Sequence, residues 1–457
     1  MANSPKSPMT RLNTNLGTTL ALLAILSAIP VASARPSWWL LWSGVLAILA
    51  MIWAIQSSRL TPNRRMQSAD LRPYLALAAL VPLYALVQTL PLPFLPLTMN
   101  EGAEALAGSA ISLLPSASWI GAIRFTAWII LFVLIYEVVT SRERMLRISW
   151  ILFIGITLQA IWALLALRVF GDIALFGEKT SYFGSATGTF VNRNSLATFL
   201  GFGLLLGAGL LSRKLGAPNM RLSRVPNIFE RIGALGLIIL IAMALILLAL
   251  VATQSRLGLF AGLVSLWITS LLLLHQNERL SKGIVMTSCF IALLFAAGVI
   301  ALGQGGLSDR LIFVQDNADE RLRIYSQTLD MIWHRPLLGF GFDAFGPAFE
   351  GFRTSELGNP VYYDLAHNSY LALWAEQGFI IGSIPPLLLL IAGWKIVAGL
   401  KSDSGFPVAK TVALGALILG AIHSLGDFSL EIPANTFVFI ILIALGLAKR
   451  NQSKPQR

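Results

Sequence analysis

A chain of 457 residues with one cysteine, four histidines and only 12% charged residues is short of the side chains on which most soluble enzymes depend. The single cysteine, Cys289, excludes a disulfide framework and a cysteine-based metal site. Soluble globular proteins carry roughly 25% charged residues, so the shortage of charge excludes an ordinary soluble fold. Acid is scarcer than base, with 22 Asp and Glu against 34 Lys and Arg. No acidic pair has metal-site spacing, and no required metal is expected. P-loop, HExxH and Gly-x-Ser-x-Gly signatures are absent, as are internal repeats and low-complexity tracts. The stretch Gly339-Phe-Gly-Phe-Asp-Ala344 has the letters of a dinucleotide fingerprint. It follows a helical pattern and lacks a βαβ setting, which makes it a tight turn.

What the chain has instead is apolar length. It is 56% hydrophobic with a mean hydropathy of +0.73, and each membrane span needs about 20 apolar residues. The pattern predicts an all-α integral membrane protein of about twelve transmembrane helices, with a large, partly helical loop between helices 9 and 10. The expected spans are Leu16–Ala34, Trp38–Ile55, Tyr74–Leu90, Ile120–Thr140, Ile148–Val169, Leu196–Leu211, Ile232–Thr253, Leu257–His275, Ile284–Leu302, Phe379–Leu400, Val408–Leu425 and Ala434–Ala448. The first ends in Val-Ala-Ser-Ala, like a signal-peptidase site, but so many spans follow that it is read as uncleaved. Residues 1–302 then hold helices 1–9, residues 303–377 the large loop, and residues 378–457 helices 10–12 with a tail.

The net charge of +12 fits loops at a membrane better than a nucleic-acid partner. Basic clusters at Arg59–Arg72, Arg142–Arg147, Arg213–Arg231, Arg279–Lys282, Lys395–Lys410 and Lys449–Arg457 all fall on one side under a twelve-span count. By the positive-inside rule that side, with both termini, is cytoplasmic. The opposite loop Pro91–Trp119 has Glu101 and Glu104 and no Lys or Arg; the apolar stretch Leu90–Ser118 reads as surface-lying. The large loop is thereby placed outside the cytoplasm. In it, Leu322, Tyr325, Leu329 and Ile332 predict a helix over Glu320–Trp333. Asn317 with Glu320 resembles a capping box, Pro336 stops the helix, and a second helix begins near His367.

Polar signals gather on that outer side. They are Asn192-Arg193-Asn194 before a span, Arg256 in the short Thr253–Gly258 loop, Arg321 and Arg323 on the loop helix, His367-Asn368-Ser369 with Glu376, and His423 with Asp427. Arg193 and Arg256 break the positive-inside pattern, and an arginine there needs a partner or a task. Taken singly, each fits a snorkelling anchor as well as a binding group. Converging, three arginines suit the oxygens of a lipid-borne diphosphate. His367 is placed to take a proton from a hydroxyl. Arg323 reads as a solvated face or a local ion pair. His334 reads as a capping or packing residue and His275 as interfacial. His423 and Asp427, four apart on one helix face, fit a supporting pair, a packing hydrogen bond or substrate contacts, with a structural role favoured. Glu376 fits an acceptor contact or a turn cap.

Together the motifs Gly-Thr-Phe-Val-Asn-Arg-Asn-Ser (188–195), Ser-Arg-Leu-Gly (255–258), Arg-Leu-Arg-Ile-Tyr with Pro-Leu-Leu-Gly-Phe-Gly (321–341) and His-Asn-Ser-Tyr-Leu with Glu-Gln-Gly-Phe (367–379) resemble the O-antigen ligase family and the related Wzy-type polymerases. The resemblance covers about residues 184–435, and Tyr325 stands where many relatives have Trp. It implies a metal-independent glycosyltransferase of the inner membrane without a nucleotide cofactor. Such an enzyme moves a glycan from undecaprenyl diphosphate to an acceptor hydroxyl at the periplasmic face. It implies lipid A–core as acceptor for a ligase, or another carrier-linked glycan for a polymerase. Arg256 and Arg321 would hold the diphosphate, with Arg193 as third contact, and His367 would activate the acceptor. Asn192, Asn194, Asn368, Glu376, His423 and Asp427 are further substrate-side or supporting positions. A protein O-oligosaccharyltransferase and a non-enzymatic transporter are the other readings.

Overall fold

The computed structural model describes residues 7–62, 65–91, 110–215, 228–276, 307–355, 357, 362–401 and 405–450; side chains are described in all of these except residues 228–231, 307–319 and 401. Fourteen α-helices are found among these residues, and no β-strand. They are α1 Pro8–Leu26, α2 Pro36–Leu60, α3 Arg72–Val87, α4 Pro115–Val138, α5 Arg142–Arg168, α6 Arg193–Leu215, α7 Ile228–Ala252, α8 Arg256–Gln276, α9 Leu307–His334, α10 Phe345–Glu350, α11 Ser369–Gly382, α12 Ile384–Ala398, α13 Pro407–His423 and α14 Pro433–Leu447.

The protein is an all-α membrane protein. Among the described residues seven helices are long and apolar enough to cross a bilayer, or eight if the bent pair α11–α12 is one span. Their wide exposure of Leu, Ile and Phe is what a lipid solvent permits, since backbone polar groups are satisfied inside each helix. The expected count of about twelve differs from this for three reasons. The predicted span Ile284–Leu302 lies outside the described residues. Helix α1 starts in a polar turn that carries Arg11, Asn13 and Asn15. Helices α13 and α14 have 17 and 15 residues, or roughly 25 Å or less at 1.5 Å per residue.

Helix α6 is the axis of the bundle. Its side chains from Ser195 to Leu210 are buried without a break, and it packs against α5, α7, α8, α13 and α14. A helix apolar all round belongs in a protein interior. Its glycines Gly201, Gly203, Gly207 and Gly209 lie against Leu419, Ile156, Met243 and Val412, the small-residue packing that lets membrane helices approach closely.

The segment from α9 to α11 is a cap with its own core, built from Ile324, Met331, Ile332, Phe340, Phe345, Phe349, Leu371 and Ala375. Two sequence expectations need correction here. Helix α9 begins at Leu307, so Asn317 lies inside it and not at its N-terminus. Its buried face is Ile324, Gln327, Thr328, Met331 and Ile332, while Leu322 and Leu329 are 63% and 41% exposed. Both sets have helical spacing, and the choice between them is made by α11, which packs on α9. The predicted span Phe379–Leu400 is likewise divided: α11 meets α12 at a 70° bend.

Two sequence-distant turns zip the cap together. Phe340 N donates to Ala375 O at 3.0 Å, Gly341 N to Glu376 O at 3.0 Å, and Phe379 N to Pro336 O at 2.7 Å. Gly339 and Gly378 sit at the crossing with φ of +64° and +70°, a region open mainly to glycine. A Cβ on Gly339 would lie 2.3 Å from Glu376 O, and one on Gly378 2.4 Å from Leu337 O. Gly339–Ala344 is thus a turn held against α11.

Candidate functional site

Helices α6 and α8 begin side by side: a Cβ on Gly258 would lie 2.4 Å from Ala197 Cβ and 3.3 Å from His423 Nε2. The last turn of α13 therefore ends against the first turns of α6 and α8. Helix α11 starts there too, because Ser369 N donates to Ser424 O at 3.1 Å. Three helix N-termini share this end of the bundle, and each brings the positive end of its dipole to it. Local capping explains why they start where they do. Asn192 Oδ1 accepts from Asn194 N at 2.7 Å, Ser255 Oγ accepts from Gly258 N at 3.2 Å, and Asn368 Oδ1 accepts from Tyr370 N and Leu371 N.

The three arginines meet at this end. Arg193 opens α6, Arg256 opens α8, and Arg321 lies on α9. Arg193 feels the charges of both Arg321 and Arg256. The charge of Arg321 also reaches Tyr182, Tyr325, His367 and His423. Arg193 donates Nη1 to Ser185 Oγ at 3.2 Å and lies 5.3 Å over the Tyr182 ring, and its buried Nε has no partner. Among the described residues no carboxylate lies within ion-pair distance of any of the three. Converging cations with no counter-charge among the described residues are chemically able to hold an anion.

Opposite them, Asp427 is the hub. It is 1% exposed, with Oδ1 4.0 Å from His367 Nδ1 and Oδ2 3.7 Å from His423 Nδ1. Asn194 Nδ2 donates to its Oδ1 at 3.3 Å, and the Ser429 hydroxyl donates to its Oδ2. His423 is buried with both ring nitrogens unbonded. The His367 side chain is 27% exposed, its ring 5.1 Å from that of Phe428. Its backbone is left-handed, with φ of 52°, a strained state that needs outside support; Tyr325 Oη supplies part of it by donating to His367 O at 2.9 Å. Burial holds the imidazole below its ordinary pKa; Asp427 opposes that and Arg321 adds to it. His367 is therefore neutral at pH 7 and able to accept a proton.

The sequence-predicted positions Asn192, Arg193, Asn194, Arg256, Arg321, His367, Asn368, His423 and Asp427 lie in this one constellation. Glu376 does not. It is buried on α11 in the zipped turn, its carbonyl accepting from Gln88 Nε2 at 2.8 Å, near Asp343 and Arg124. His334 ends α9 with its ring 5.2 Å from Phe352. Sequence reasoning missed Tyr182 and Glu431, which are common residues in loops. It also missed the ion pair of Arg124 with Asp343, for which an arginine inside the Ile120–Thr140 apolar run was the signal. Among the described residues no group of three or more His, Cys, Asp or Glu could hold a metal ion.

No curated protein matches the chain. The family model described as O-antigen ligase matches residues 241–384, a stretch that contains Arg256, Arg321 and His367 but neither Arg193 nor Asp427. Over this segment the chain is similar to the O-antigen ligase family.

Proposed function

We propose that the protein is a ligase that transfers a glycan from undecaprenyl diphosphate to a hydroxyl of lipid A–core, with the site at the periplasmic face of the bacterial inner membrane and both termini cytoplasmic. The observation that carries the reading is the pairing of three arginines, with no counter-charge at ion-pair distance among the described residues, with a neutral histidine backed by a buried carboxylate.

In this reading Arg193, Arg256 and Arg321 bind the diphosphate oxygens, helped by the N-termini of α6 and α8. Asp427 faces Nδ1 of His367 and favours the proton there, leaving Nε2 as the base. The acceptor hydroxyl gives its proton to His367 as its oxygen attacks the anomeric carbon. The bond from that carbon to the diphosphate oxygen breaks, and its electron pair leaves with the undecaprenyl diphosphate, whose new charge the arginines stabilise. The proton then passes from His367 to solvent or the departing diphosphate. Positioning and charge stabilisation supply much of the rate because the leaving group is already good. No step calls for a metal or a nucleotide.

The test uses purified protein in lipid with an undecaprenyl-diphosphate-linked glycan, with and without lipid A–core and with and without EDTA. Sugar on lipid A–core, insensitive to EDTA, supports the ligase reading. Longer carrier-linked chains without added acceptor make the protein a polymerase. Transfer abolished by EDTA refutes the metal-independent mechanism. Donor bound but never transferred moves the weight to a transporter.

A further inference from the structure

The left-handed turn at His367 is held from four directions. Tyr325 Oη donates to His367 O at 2.9 Å, and Asn368 Nδ2 donates to Leu425 O at 3.1 Å. Ser369 N donates to Ser424 O at 3.1 Å, and Ser369 Oγ donates to Glu431 Oε1 at 2.7 Å. The Ser369 hydroxyl also lies 3.4 Å from Asp427 O. Three of these holds end on backbone carbonyls, whose strength is fixed. The fourth ends on a carboxyl that can change charge.

Glu431 closes the 3-10 turn Ser429–Glu431 between α13 and α14. Its residue keeps part of its surface, but its carboxyl is enclosed among protein atoms. Arg124 on α4, Asp343 in the turn before α10, Glu376 on α11 and Asp427 face it. Burial raises its pKa to about 7, against the Ser369 hydrogen bond and Arg124, which lower it. The carboxyl thus changes charge in the range where the protein works. Nothing in the transfer step described above uses it.

We propose that Glu431 is a positioning residue: through the Ser369 hydroxyl it holds the His367 turn against Asp427, firmly when ionised and weakly when protonated. The inference rests on His367 being the base. A hydrogen bond to an ionised acceptor is about twice as strong as one between neutral groups, so ionisation of Glu431 tightens the one adjustable support of a strained turn. Only the alignment of His367 is altered; the diphosphate pocket is left as it is.

The experiment measures kcat and donor KM for transfer from an undecaprenyl-diphosphate-linked glycan between pH 5 and 9. It uses the full chain in lipid, as wild type, Glu431→Gln, Ser369→Ala, the double variant and His367→Ala. Wild-type kcat is expected to rise through two ionisations, that of His367 below the ordinary histidine range and that of Glu431 near 7. Glu431→Gln and Ser369→Ala each remove the upper step and lower kcat about tenfold at pH 8, a loss of the size one charge-assisted hydrogen bond supplies, with donor KM unchanged. The double variant loses no more than either single one, because both cut the same link. A wild-type step near 7 that survives both single variants overturns the inference, as does a double variant whose losses add. Undiminished transfer by His367→Ala overturns the base assignment and the inference with it. An inactive His367→Ala beside wild-type-like Glu431 and Ser369 variants overturns the inference alone.

Discussion

Gly378→Ala is expected to cost the protein about 2–5 kcal/mol. The left-handed backbone at φ +70° costs a residue with a Cβ about 1–2 kcal/mol. The added Cβ would stand 2.4 Å from Leu337 O and 2.5 Å from Leu337 C, both backbone atoms, with Pro336 O a further contact at 3.0 Å. No side-chain rotation relieves this, so the two turns must part by roughly an ångström to reach ordinary contact. Three hydrogen bonds cross that junction: Phe379 N to Pro336 O, Phe340 N to Ala375 O and Gly341 N to Glu376 O. Each buried one contributes about 0.5–1.5 kcal/mol, and loss of two with the backbone strain gives the stated range.

Gly44→Ala is the control. Gly44 lies on α2 with nothing within 4 Å of its added Cβ and an ordinary helical backbone. In the purified protein, thermal unfolding should begin several degrees lower for Gly378→Ala and no lower for Gly44→Ala. Glycan transfer should fall with it, because α11 carries the His367 turn at its start. A Gly378→Ala protein that unfolds with the wild type would refute the claim that the turns around Gly339 and Gly378 clamp the cap.

Other expectations concern the chemistry. Arg256→Ala and Arg321→Ala should each weaken donor binding or turnover by about 10–100-fold, the loss of a charge-assisted contact. Lysine at either position should restore only part, since it lacks the planar fork; both are read from donor KM and kcat. His367→Ala should slow transfer by about 10²–10⁴-fold with donor still bound, the usual contribution of a general base. In Asp427→Asn the sign follows from the pKa balance: Asp427 raises the pKa of His367 while burial and Arg321 lower it. Losing the charge should move the acid limb of the rate profile to lower pH and reduce the rate at pH 7. A limb that moved to higher pH would show that another group carries it.

The fold class was legible because its signal is local: long apolar runs and an uneven distribution of basic loops need no knowledge of distant contacts. Where the chain doubles back, local signals failed. Leu322 and Leu329 have helical spacing as good as that of Ile324 and Met331, and only the docking of α11 selects the second set. The α11–α12 bend is hidden by an apolar stretch that satisfies a span in composition. The site shows the same division. Arg193, Arg256 and His367 could be singled out because each is an unusual residue at the edge of an apolar run. What the sequence could not supply is that Asp427, read alone as a packing partner of His423 four residues away, stands between two histidines 56 residues apart in the chain. Helix α6 joins that relation by contributing Asn194 to the same carboxylate. Glu431 is the extreme case. It is one acid in a short loop, and it acquires meaning only because the zipped turns and the α13–α14 connection close around it. For a chain so poor in charge, each buried carboxylate is costly, and two of the enclosed ones, Asp427 and Glu431, stand at the His367 turn. That placement makes Asp427 and Glu431, more than the arginines that any anion site would have, the residues on which the proposed base chemistry turns.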